Sequence, residues 1–183
     1  MAMKVGLQLD GRLTIETFED EKLVGSWVAD NVICVAGLSD VASAISYLGV
    51  EDIANNIGVS PTVITPIYGA IGGGVTGTTF TTDTPSTADT QLSNEISRST
   101  ASAAAYAPAL GSNPGQVVWQ FQFPINNSNN NYTLTEAGVF VLASSVTNSG
   151  DMFDHALFTP NAQWLIGQSL VLSIQISLYA TSW

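Results

Sequence analysis

The clearest period-two pattern lies near the C-terminal end, where Leu170, Leu172, Ile174, Ile176 and Leu178 alternate with Ser173, Gln175 and Ser177. Such alternation marks a strand with one face on a core and the other in water. The same logic puts Val117, Trp119, Phe121 and Phe123 on one face, against Gln120 and Gln122 on the other. Asn126 to Asn131 reads as a turn, because Asn tolerates left-handed backbone. Tyr132 to Leu142 is then the partner strand of a hairpin. At the other end, Val5, Leu7 and Leu9 alternate with Gly6 and Gln8, Asp10-Gly11 is a two-residue turn signal, and Leu13-Thr14-Ile15 returns. This predicts an N-terminal hairpin. Further strands are expected around Trp27, over 32–36, over 63–71 leading into Gly72-Gly73-Gly74, and at His155–Phe158.

Two segments break the β pattern. Ser39 is a candidate N-cap for a helix starting at Asp40, with Val41, Ala44, Ile45 and Leu48 on one face and Gly49 at its end. A second short helix is expected from Glu51 to Asn56, closed by Gly58 and Pro61. Leu92 and Ile96 at i, i+4 suggest one helical turn, with Glu95 and Arg98 at i, i+3. Between the glycines and that turn, residues 75–90 hold eight Thr and no apolar period, which predicts a long loop. The expected fold is mainly β, a sandwich of jelly-roll type with one or two short helices. Residues 1–25 would form an N-terminal arm, and 26–183 the sandwich domain with a helical insertion near 39–57.

Composition changes this picture in one respect. A length of 183 residues suits one domain, and 45% apolar content is that of a globular protein, yet only 10% of residues are charged. An average soluble domain carries roughly 25%. The net charge is −11, from 15 acidic and 4 basic residues, and after Lys22 the only positive side chain is Arg98. Phosphate binding needs clustered Lys and Arg, so direct contact with nucleic acid or an anionic membrane is disfavoured. A surface poor in Lys and Glu suits burial in an assembly. Cys34 stands alone in an apolar setting and reads as a core residue. The N-terminus lacks the features of a signal peptide, and no apolar run is long enough to span a membrane as a helix.

Few residues suggest chemistry. Gly72 to Gly77 matches G-x-G-x-x-G by spacing, but a Thr-rich loop follows instead of a helix, so the reading is a close backbone approach at a turn. A catalytic triad would have to use His155, and no nucleophile elbow is present. Asp151 and Asp154 beside His155 do not single out a metal site, and no cofactor, metal or catalytic residues are assigned. Glu136 stands out, set among Leu134, Ala137, Val139, Phe140 and Val141, where an unpaired charge is costly. It is expected to form a structural latch, either with the Arg98 guanidinium or by capping backbone N–H groups of the Gly72–Gly77 loop. Gly72, Gly74 and Gly138 are taken as parts of that latch.

The order of these pieces carries a resemblance. Asn31-Val32-Ile33 leads to Gly37-Leu38 and a helix, followed by Ile71-Gly72-Gly73-Gly74. Then come Asp89, Leu92, Glu95 and Arg98, the segment Thr135-Glu136-Ala137-Gly138-Val139-Phe140, and a closing Leu-x-Leu-x-Ile-x-Ile strand. Over roughly residues 30–180 this resembles small structural proteins of tailed bacteriophages, including base modules of tail-collar fibre proteins. The resemblance implies a non-enzymatic virion protein, made in the host bacterial cytoplasm and assembled as a symmetric oligomer, commonly a homotrimer. Its partners would be copies of itself and other virion proteins such as the major capsid protein. No fibre shaft follows within the chain, which favours a capsid decoration protein, with a tail, collar or baseplate component as the second choice. A carbohydrate-binding module, using Trp27, Trp119, Trp164 or Trp183 as stacking platforms, is the reading from a different class.

Overall fold

In the computed structural model, residues 5–35, 68–82, 84–107, 115–141 and 143–182 are described. All eight elements there are strands: β1 (Val5–Glu19), β2 (Lys22–Ile33), β3 (Tyr68–Val75), β4 (Glu95–Ala107), β5 (Gly115–Phe123), β6 (Tyr132–Val141), β7 (Asp151–Trp164) and β8 (Ser169–Ser182). They close into an antiparallel barrel in the order β1-β2-β7-β6-β3-β4-β5-β8. The chain is mainly β, as expected, but it closes on itself instead of forming a two-sheet jelly-roll sandwich. Strands β3, β4 and β5 are successive neighbours and β6 returns beside β3, which is a Greek-key connection.

The alternating apolar faces point into the barrel. Leu170, Leu172, Ile174 and Ile176 of β8 meet Leu13 and Ile15 of β1, Phe121 and Phe123 of β5, and Leu134, Ala137 and Val139 of β6. An eight-stranded barrel has an interior just wide enough to be filled by such side chains. Apolar residues line the inside, while Arg12, Asp30 and Gln122 are among the exposed residues of the wall. That is the reverse of a membrane barrel. Among the described residues, no helix is long and apolar enough to cross a membrane.

Several expectations are corrected. Strand β1 runs straight through Asp10-Gly11 and pairs with β8 from Val5↔Ser182 to Phe18↔Ser169. A Cβ on Gly11 would meet the Asn31 side chain at 2.0 Å, so this glycine makes room inside the wall and does not turn the chain. The turn lies at Asp20-Glu21, both with positive φ (49° and 64°). Residues 5–25 thus supply a wall strand and the start of the next. The glycines follow no turn either: they lie within β3, paired to β6. Leu92 to Ile96 is a turn entering β4, not a helical one. The helices expected near 39–57 lie outside the described residues.

Left-handed backbone costs an ordinary residue roughly 1–2 kcal/mol, and Asn-Gly is the favoured pair for a hairpin turn of this kind. Replacing Asp20→Asn together with Glu21→Gly should raise stability by about 1 kcal/mol, measured by urea unfolding. No gain would place the turn elsewhere.

Candidate functional site

Three irregularities in the strands build the polar centre of the molecule. On β7, Met152 pairs with Phe140 while Asp154 pairs with Val139, so Phe153 is an extra residue. This bulge turns Asp154 toward the side of Val139, inside the barrel, and leaves Met152 and His155 on the outer face. On β4, Ser97 pairs with Ile71 and Glu95 with Gly72, so Ile96 is extra. Glu95 and Arg98 would lie on opposite faces of a regular strand; the bulge brings them to the same one. On β6, Thr135 is skipped in the pairings to both neighbours, and Glu136 faces outward beside Gly72 and Leu157.

The outer face of β3, β6 and β7 is therefore not free surface. The 76–94 loop covers it, burying Leu92 with Cys34, Ala70, Phe140 and Met152. Fully buried Glu136 holds this loop. Its Oε1 accepts the Asn94 N–H at 3.0 Å, and its Oε2 accepts the Ser93 N–H at 3.2 Å. His155 Nε2 lies 3.1 Å from Glu136 Oε2, and its Nδ1 lies 2.7 Å from Asp89 Oδ2, on the same loop. Asp89 Oδ2 also accepts the Ser86 N–H at 2.7 Å.

Counting donors settles the charge of this bridge. A neutral imidazole has one N–H and one lone pair, whereas carboxylate oxygens only accept. Both ring nitrogens face such oxygens, so the bridge needs one further proton, and the imidazole carries it. Burial alone would lower the His155 pKa. The hydrogen bonds from Glu136 and Asp89, with their negative charges, outweigh burial and raise it.

A second clamp lies beside the first. Arg98 donates Nε to Glu95 Oε1 at 2.6 Å and Nη2 to Glu95 Oε2 at 2.7 Å, a bidentate pair. Its Nη1 reaches Ser144 O at 2.9 Å and Ser149 Oγ at 2.9 Å, and Glu95 Oε2 accepts the Asn148 N–H at 2.9 Å. The guanidinium lies 4.9 Å from the centre of the Phe140 ring. This pair ties down residues 144–149.

Glu136 bonds to the 76–94 loop and its ionic partner is His155, while Arg98 pairs with Glu95. It does cap backbone N–H groups, though those of Ser93 and Asn94 and not those of the Gly72–Gly77 loop. The three glycines assigned to the latch each leave space for a clamped group. A Cβ on Gly72 would lie 2.6 Å from Glu136 Cγ, one on Gly74 2.1 Å from the Phe80 ring, and one on Gly138 3.2 Å from Leu92. Asp89 was legible only as part of the motif order. That His155 joins it to Glu136 depends on the β7 bulge, which no residue pattern announces.

Inside the barrel, Asp154 accepts the Asn31 amide N–H. Asn31 Oδ1 and Asp154 Oδ1 are both buried without partners. One proton on Asp154 resolves both vacancies, since its O–H can then donate to the Asn31 oxygen. Burial pushes the Asp154 pKa well up, against the opposing pull of the Asn31 hydrogen bond and the His155 charge. Burial likewise pushes the Cys34 thiol up to about 12, helped by the charges of Asp154 and Asp89.

Chemically, this arrangement holds loops. Both His155 nitrogens are engaged and the ring is buried, so it offers no lone pair to a substrate. The Cys34 thiol stays protonated and unreactive near neutral pH. Asp89 and Glu136 lie at opposite nitrogens of one ring, and among the described residues no cluster of three His, Cys, Asp or Glu side chains could hold a metal. Of the proposed stacking platforms, Trp27 and Trp119 pack partly against the core and Trp164 is buried. Trp183 lies outside the described residues.

Comparison with known proteins yields no relatives: no family model, no curated protein and no solved structure matches the chain.

Two predictions follow from the protons. A raised imidazole pKa contributes stability fully below about pH 6.5, which is lost as pH rises through the folded-state value. Thermal stability should therefore fall on the alkaline side, and His155→Gln should flatten that fall while lowering stability at neutral pH by about 3–5 kcal/mol. An unchanged slope in the variant would remove His155 from the account. For Asp154, the raised pKa means that stability falls as pH rises above about 3.9, because the unfolded chain ionises first. Asp154→Asn keeps a donor and an acceptor opposite Asn31 but has no charge to lose. It should match the parent near pH 3 and become increasingly more stable than it toward pH 7.

Proposed function

We propose that this chain is a non-enzymatic structural protein of a tailed-bacteriophage virion, most concretely a capsid decoration protein that acts as a symmetric oligomer, a homotrimer in the simplest case. The supporting observation is where the charges are. Of only 4 basic residues in the chain, Arg98 is spent on an internal clamp, and His155, Asp89, Glu95 and Glu136 are drawn into the same two networks. The groups that a hydrolytic site would present to a substrate instead pin loops to a barrel. What faces outward is weakly charged and rich in Ser, Thr, Asn and Gln, which suits a surface that ends in contact with neighbours.

The closed barrel also defines how assembly would work. A sandwich would offer free strand edges for pairing between subunits, but a barrel has none. Association would use side chains, and exposed aliphatic residues are available: Leu23 (55% exposed), Val24, Ile125 and Ile166 (52%) among them. Burial of this low-charge surface between capsid subunits would add stability to the head. The tail, collar or baseplate position remains the second form of the same reading.

Purified particles of the encoding phage should contain the chain by mass spectrometry, with averaged cryo-electron microscopy density repeated regularly over the head. Density confined to a vertex or the tail would move the assignment to the second form. A chain missing from particles would overturn the virion reading altogether.

A further inference from the structure

The turn Ser86–Asp89 is a self-contained unit with few attachments. Within it, Asp89 N–H donates to Ser86 O at 3.1 Å, Ser86 N–H to Asp89 Oδ2 at 2.7 Å, and Ala88 N–H to Ser86 Oγ at 3.2 Å. Ser86, Thr87 and Ala88 are exposed, so little apolar burial holds the turn in place. Among the described residues it has two strong polar ties to the barrel: Val35 N–H donates to Thr87 O at 2.7 Å, and His155 Nδ1 meets Asp89 Oδ2 at 2.7 Å. Cys34 packs against the turn, fully buried, with its Sγ 3.9 Å from Ser86 O. We propose that Ser86–Asp89 is a flap over Cys34, held shut while His155 carries its second proton and released, with the barrel intact, when that proton leaves.

The two carboxylates beside the ring are not equivalent. The Glu136 side chain is 0% exposed and also accepts the Ser93 and Asn94 N–H groups. The Asp89 side chain is 14% exposed and lies at the solvent edge. A neutral imidazole keeps a single N–H. On Nδ1, that proton would leave the Nε2 lone pair facing a buried carboxylate that water cannot reach. On Nε2, it leaves the lone pair facing Asp89, which can turn toward water. The second arrangement costs less, because the charge left without its donor can be hydrated. The bond to the flap is therefore the one that fails, while residues 93–94 stay fastened to Glu136.

The groups that set this balance come from each element around the ring. Glu136 faces it from β6 and Asp89 from the loop; Asp154 is its neighbour on β7, bonded to Asn31, and Cys34 follows β2. The pull of Glu136 and Asp89 outweighs burial, so the closed form binds the proton more tightly than a solvated imidazole does. The hold on the flap is then complete below about pH 6.5 and is lost as pH rises through the folded-state value. A segment with exposed hydrogen bonds and few buried apolar contacts opens at a small fraction of the free energy of global unfolding. The flap is independent of the virion reading.

Cys34 reports the opening. The full chain is alkylated with iodoacetamide from about pH 6 to about pH 10, and each rate is divided by that of the urea-unfolded chain at the same pH, which cancels the titration of a free thiol. The ratio should climb by up to about tenfold per pH unit above about pH 6.5, by about tenfold or more in total, and level off once the folded ring is neutral. Amide exchange at Asn94 and along β8, corrected for intrinsic rates, should stay protected throughout. Asp89→Asn places beside Nδ1 an amide that can accept from a protonated nitrogen or donate to a bare one, so its ratio should not change with pH. A flat ratio in the parent would overturn the proposal, and so would the same climb in Asp89→Asn. A climb accompanied by loss of protection at Asn94 and along β8 would also overturn it, since unfolding of the barrel would then be what exposes Cys34.

Discussion

One imidazole ring held between two carboxylates organises the outer half of this molecule. Glu136 comes from the barrel wall and Asp89 from the loop that covers it, and His155 joins them. Without that bridge, Glu136 would be a buried charge left with two backbone N–H donors from Ser93 and Asn94, and the loop would lose its ionic contact at Asp89. Removing one partner of a buried pair is costly because the survivor stays desolvated. The bridge therefore does more to enforce a single loop position than to add net stability.

The same accounting applies twice more in the core. Asn31 and Asp154 have one acceptor too many until a proton is added, and Cys34 keeps its proton far above the ordinary thiol range. In each case the folded chain binds a proton that the unfolded chain releases at lower pH. An acidic protein with a net charge of −11 gains from this arrangement, since every retained proton removes one negative charge from the compact state. Arg98 and Glu95 form the exception, a charged pair whose geometry is bidentate and which also bonds to Ser144, Asn148 and Ser149.

Much of the wall was legible because its signals are local. The alternation from Leu170 onward and from Val117 to Phe123 reports inward and outward faces directly. So does the apolar setting of Glu136, which marks it as a buried carboxylate needing partners. Its actual partner was not legible. Simple alternation places Phe153 and His155 on one face, and only the bulge at Phe153 separates them and sends Asp154 inward. Glu95 and Arg98 were read at helical spacing for a similar reason: a bulged strand can bring i and i+3 together much as a helix does. Asp10-Gly11 misled because a turn signal and a glycine vacated for a neighbouring side chain look identical in sequence. Asn31, which fills that space, is paired through β2 and lies far along the chain. Closure of the barrel depends on β1 pairing with β8, the longest-range strand pairing among the described residues, and no local pattern carries it.

The central claim is that His155 is an imidazolium held between Asp89 and Glu136. Heteronuclear NMR of its side-chain nitrogens tests this most directly. The account predicts that both nitrogens carry protons at neutral pH and that the ring titrates above the ordinary imidazole value of about 6.5. A neutral ring at neutral pH, with one nitrogen unprotonated, would contradict it.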